Sequence, residues 1–254
     1  MLRLYWALLF VFGAVVLRAA DPLPVVPMKG TPEELARSFV VQQQDSCDRS
    51  VVIVCPEFFT ATDVTLRWVQ LDDDEDLEAI LTTGPMLAPL PVYFVYLFDR
   101  QGTKWNEVGS LTCSRQCDPN NVVRVQKLTD DSPPLVLFYR DLGGSASTLF
   151  TTTGYELHEG KLWPAMEVAN FVWGGLPPPE REWHRTVLAS KDRLVIHTVP
   201  SASTRERETC EVQRWDAQSH QFVPVPADSS KYCDTRTGKP LPGKAYVVGL
   251  PVVP

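Results

Sequence analysis

The chain has 254 residues, of which 44% are hydrophobic, with 24 basic against 31 acidic side chains and a net charge of −7. A net negative chain without a basic cluster argues against a nucleic-acid partner and against attraction to anionic lipid surfaces. The length suits one all-β domain or two small ones, and is enough to bury a core without relying wholly on disulfides.

The first residues carry the clearest signal. Arg3 precedes an almost uninterrupted apolar run from Leu4 to Leu17, and Ala19 and Ala20 stand before Asp21. A charged start, an apolar middle and small residues at the cut are the layout of a secretory signal peptide. The expectation is therefore a signal peptide over 1–19, removed on export to a secreted or periplasmic location. The apolar run is shorter than the roughly 20 residues a spanning helix needs, which disfavours an uncleaved anchor. Loss of Arg3 and Arg18 leaves 22 basic against 31 acidic residues. No stable membrane insertion is expected after cleavage.

A loose Pro-rich leader is expected over 20–30, followed by one β-rich domain over 31–254. The domain opens on a helix predicted over 32–44. Thr31 can cap it, Pro32 suits its first position and Glu34 completes a capping box. Leu35 and Phe39 give it an apolar face. Strand-like runs then dominate at 51–54, 64–71, 79–82, 92–98, 122–128, 135–139, 148–157, 193–198 and 210–215. They are short, rich in Val, Thr and aromatics, and punctuated by Gly, Pro, Asp and Asn.

These runs repeat weakly. Leu71 to Leu128 spans 57 residues and Leu128 to Leu188 spans 60; Trp105 to Trp163 spans 58 and Trp163 to Phe222 spans 59. Repeat-like units over about 62–118, 119–176 and 180–230 would each hold four strands, the pattern of propeller blades. The reading is a mainly β, propeller-like array of about three four-stranded units; an ordinary β sandwich is the alternative.

Six cysteines, Cys47, Cys55, Cys113, Cys117, Cys210 and Cys233, all follow the apolar leader. An even count in an exported chain predicts disulfides. Fifteen connectivities are possible, and the local pairs 47–55, 113–117 and 210–233 are the simplest. No CxxC motif or zinc-finger histidine spacing occurs, so a thioredoxin-like centre or zinc finger is disfavoured.

The most specific local feature runs from Val69 to Leu81 and holds Asp72, Asp73, Asp74, Glu75, Asp76 and Glu78. It resembles the calcium loop of FG-GAP or VCBS propeller repeats, of form DxDxDGxxD between two strands. On that resemblance Gln70 takes the first ligand position, Asp72 and Asp74 the next two, and Glu78 the last. The resemblance thus implies calcium, held by Asp72, Asp74 and Glu78. Two departures stand against it: an amide at the first position, and Glu75 where the loop's turn-making glycine belongs. The competing reading is a solvated acidic hairpin with no cofactor.

No catalytic constellation stands out. Gly143-Gly144-Ser145-Ala146-Ser147 lacks the last glycine of a nucleophile elbow and reads as a hairpin turn. His158, His184, His197 and His220 form no HExxH pattern. Trp163, Trp173 and Trp183 flank a Gly- and Pro-rich stretch and are candidate binding aromatics for a sugar or protein surface, or simple covers for sheet edges. The expected function is a non-catalytic binding or assembly protein, monomeric, with a protein or carbohydrate partner. An extracytoplasmic hydrolase with an acidic site and a structural envelope component are the rivals.

Overall fold

The computed structural model describes residues 21–49, 64–72, 74–83, 92–114, 123–141, 147–173, 183–200 and 206–248. The fold is mainly β, and its sheets are antiparallel. Helix α1 (Pro32–Arg49) starts at the expected residue and runs five residues past Gln44. Its N-terminus is a capping box. Glu34 N–H donates to Thr31 Oγ1 at 3.3 Å and Thr31 N–H donates to Glu34 Oε2 at 2.9 Å, satisfying two otherwise orphaned donors.

Strands β2 (Val64–Val69), β3 (Glu78–Thr83), β4 (Val92–Gln101) and β5 (Lys104–Ser114) form an antiparallel meander, with β1 (Val26–Pro27) added at the β5 edge. The leader is therefore pinned rather than loose. Val26 pairs with Glu107, and Leu23 N–H donates to Leu162 O at 2.8 Å. The second meander comprises β6 (Val123–Lys127), β7 (Pro134–Asp141), β8 (Ser147–His158) and β9 (Lys161–Trp173). The third comprises β10 (Trp183–Ala189), β11 (Leu194–Pro200), β12 (Thr209–Asp216) and β13 (Gln221–Pro224). Trp183 pairs with Phe171, so the second and third meanders run on as one sheet from β6 to β13, and Asp130 N–H donates to Lys191 O at 2.7 Å between their turns. Farther along β10, strand β16 (Tyr246–Val247) pairs with Leu188 and Ala189.

The cores explain the layering. In β7 every residue of the run Leu135–Tyr139 is buried, and alternate side chains serve different cores. Val136 and Phe138 join Ile80, Val95, Leu97 and Val108 of the first meander. Leu135 and Leu137 join Val187, Leu194 and Phe222 of the third. The period of two places successive residues on opposite faces, so a continuous apolar run marks a sheet covered on both sides. The outer face of the first meander (Ala79, Leu81, Phe98, Trp105) is covered by Leu35, Ala36 and Phe39 of α1. The outer face of the third (Val195, Val212) is covered by Tyr232, Cys233 and Ala245.

The C-terminal segment adds a 3-10 turn (Pro226–Asp228), helix α2 (Ser229–Tyr232) and a ribbon of β14 (Cys233–Asp234) with β15 (Lys239–Pro240). A disulfide joins Cys210 in β12 to Cys233 in β14, the simplest pairing foreseen for those two cysteines. Cys55 and Cys117, and the side chains of Cys47 and Cys113, lie outside the described residues, and with them the other two expected pairs.

Candidate cation site

The acidic loop between β2 and β3 is a series of turns closed by its own side chains. Asp72 Oδ1 accepts the Asp74 N–H at 3.1 Å, and Asp74 Oδ1 accepts the Asp76 N–H at 2.8 Å. Such short-range carboxylate–amide bonds are why Asp favours turns. Gln70 Nε2 donates to the carbonyls of Asp72 at 3.0 Å and Asp74 at 2.8 Å. The loop thus closes without the glycine that Glu75 replaces, and the Gln70 amide acts as a clasp on loop carbonyls.

Glu78 is the first residue of β3 and is fully buried. Its Oε2 accepts the Leu71 N–H at 2.6 Å, while its Oε1 is buried with no hydrogen-bond partner among the described residues. Asp99, near the end of β4, is also buried and accepts a bond from Gln101 Nε2 at 3.0 Å. Because Ala79 pairs with Phe98, the register of β3 on β4 sets Glu78 opposite Asp99. Asp72, Glu78 and Asp99 each offer an oxygen, and all three oxygens lie within 4.8 Å of one another. Of the sequence-predicted set, Asp72 and Glu78 come together, whereas the Asp74 carboxylate is engaged in the turn bond from the Asp76 N–H. Asp99 was missed. Its only sequence signal is a lone acid at the end of the apolar run 92–98.

Burial dominates the electrostatics. It pushes the Glu78 carboxyl up to about 7, with Asp72 and Asp74 adding to the rise and the Leu71 N–H opposing it. Asp99 is raised for the same leading reason, with Gln101 opposing and Asp72 and Asp74 adding. A buried carboxylate oxygen without a partner is costly unless a proton or a cation satisfies it. The donor set is all oxygen, the choice of a hard cation such as calcium. It supplies at least three of the six to eight oxygens such an ion takes, leaving the remainder to backbone carbonyls or water.

Two of the three candidate binding aromatics, Trp163 and Trp183, lie apart. Trp163 and the Trp183 partner Phe171 are eight residues apart along β9, about 25 Å at strand rise. Trp183 is tied down, its Nε1–H donating to Ala169 O at 3.1 Å. Trp163 stacks on His220 at 5.3 Å between ring centroids. The Trp173 side chain and the segment 142–146 of the elbow-like sequence lie outside the described residues. No helix among the described residues is long and apolar enough to cross a membrane.

Compared with known protein families, curated proteins and solved structures, the chain matches none.

Proposed function

We propose that this chain is an exported, non-catalytic binding or assembly protein, a propeller-like arc of three four-stranded units in which calcium fixes the first unit's hairpin. The observation that carries the reading is Glu78, fully buried with Oε1 unpartnered beside Asp72 and Asp99. Calcium bridging the three carboxylates would lock the β2–β3 loop against β4. The stacking of three meanders, covered at one end by α1 and at the other by the C-terminal segment, supports the arc. Export is supported by the apolar leader and by the Cys210–Cys233 disulfide, which suits an oxidising compartment. Trp68, in the strand leading into the loop, is 42% exposed and gives this face a contact point for a protein or carbohydrate partner.

A carboxyl raised to about 7 is also what a hydrolase needs in a general acid. That rival is weakened by burial, since Glu78 and Asp99 are only 0% and 2% exposed and neither reaches a substrate in this conformation.

The test is thermal denaturation of the oxidised, leader-free chain at neutral pH with and without millimolar calcium. Calcium should raise the melting temperature of the wild type by mass action, and Glu78→Gln or Asp99→Asn should abolish the rise. An unchanged wild-type melting temperature in calcium would instead leave Glu78 and Asp99 as carboxyls satisfied by a shared proton.

A further inference from the structure

A second group of ligand-type side chains lies where the second and third meanders meet. Glu156 and His158 are two apart on β8 and so project from the same face. His220 reaches them from the loop between β12 and β13, its backbone in the left-handed region at φ 56°. A non-glycine residue adopts that conformation uncommonly, though His tolerates it better than most. His220 Nδ1 lies 2.7 Å from Glu156 Oε2, and the His158 and His220 rings are 4.3 Å apart between centroids. One ligand atom from each of Glu156, His158 and His220 falls within 4.8 Å of the others. Glu156 is nearly buried, whereas the His158 side chain is 45% exposed, so one side of the group faces solvent.

We propose that Glu156, His158 and His220 form a binding site for a divalent transition metal of the zinc class. Two imidazole nitrogens and one carboxylate oxygen are a borderline-soft donor set that selects zinc-like ions over calcium. Three protein ligands leave a fourth position for water or an anion. Trp163 fixes one wall of the site. It stands opposite Glu156 in the β8–β9 register and stacks against the His220 ring at an interplanar angle of 24°. Its Nε1–H is buried with no partner among the described residues. The site would clip the β8–β9 hairpin to the β12–β13 loop, adding a side-chain tie between the second and third meanders beyond the Trp183–Phe171 pair and the Asp130 N–H to Lys191 O bond.

The experiment is calorimetric titration of chelator-treated, oxidised, leader-free chain with zinc, and with cobalt followed by its visible absorption. One zinc per chain, intense cobalt bands of a four-coordinate site and an undiminished zinc affinity in excess calcium are expected. His158→Gln removes one ligand while leaving the Glu156–His220 contact in place, and should lower zinc affinity about tenfold or more. The control His184→Gln, at an exposed position on β10, should leave zinc affinity unchanged. Absence of zinc binding, or a His158→Gln variant that binds zinc as the wild type does, would reduce the cluster to a Glu–His ion pair and overturn the proposal. Competition by calcium at equal concentration would also overturn it.

Discussion

At the scale of single residues, the β8–β9 hairpin shows how a backbone requirement meets a side-chain one. Glu159 and Gly160 both have positive φ, 50° and 68°, the signature of a two-residue type I′ turn. Gly160 suits the turn through its positive φ, and a Cβ there would also displace the movable Gln101 amide and lie 3.0 Å from Asp99 Oδ2. Glu159 has no such excuse, and Asn is the residue that turn prefers. Glu159→Asn should raise unfolding free energy by about 0.5–1 kcal/mol in urea titration, measured without added metal. Glu78 gives a pH signature. Its folded value of about 7 exceeds the ordinary 4.5, so the folded state of the calcium-free protein binds this proton more tightly than the unfolded chain does. The stabilisation is complete at acid pH below 4.5 and is lost as pH rises through about 7. Stability of the calcium-free wild type should fall across that window, and Glu78→Gln should flatten the fall. Asp72 and Glu78 were legible in the sequence because they sit in one local loop. Asp99 was not, because strand register and not sequence proximity brings it to them.

At the scale of elements, the helix start was fully legible and its end was not. Thr31, Pro32 and Glu34 encode the N-terminus by local hydrogen bonds alone. No glycine stop or proline breaker follows Gln44 closely, so the helix continues to Arg49. Thr31→Ala removes the acceptor for the Glu34 N–H and should cost about 1 kcal/mol, with a matching loss in thermal unfolding. The loss should reach the first meander, since Phe39 of α1 stacks on Tyr96 at 5.7 Å and Tyr96 on Phe98 at 6.3 Å. The strands were legible as strands from their Val, Thr and aromatic content. Which core each face serves was not, because β7 reads as one unbroken apolar run whichever neighbours cover it. The spacing of the tryptophans in the fold was hidden for a related reason. Trp163, Trp173 and Trp183 cluster along the chain, but a long strand carries Trp163 away from Trp183.

At the scale of the whole molecule, the first meander packs on one face of the second, the third continues the second's sheet and packs on its other face, and the chain covers the two outer faces from different ends. The mainly β character and the Cys210–Cys233 pair were legible, the first from composition and the second from proximity in sequence. That disulfide closes a separation of 23 residues, so its loss through Cys210→Ser with Cys233→Ser should cost about 3 kcal/mol by loop-closure entropy. The C-terminal cover is the sharper test of the layering. Val248 is buried in the core shared by the second and third meanders, and its N–H donates to Val187 O at 2.9 Å. Beside it, β16 occupies the edge of β10 at Leu188 and Ala189, and Ala245 packs on the outer core with Val195 and Val212. Deleting residues 244–254 would therefore open an apolar face and bare a strand edge together. Exposed edges of this kind invite pairing with another chain. The truncated chain should melt at a lower temperature than the full chain and should self-associate with rising concentration, read by light scattering after size-exclusion chromatography. The same deletion leaves α1, the β2–β3 loop and the Glu156–His158–His220 group intact, so any calcium or zinc response should survive at temperatures where the truncated chain remains folded. A truncated chain that stays monomeric with an unchanged melting temperature would mean that Val248 and β16 add nothing to the third meander, and the proposed open arc would lose the cover that lets it stand as a monomer.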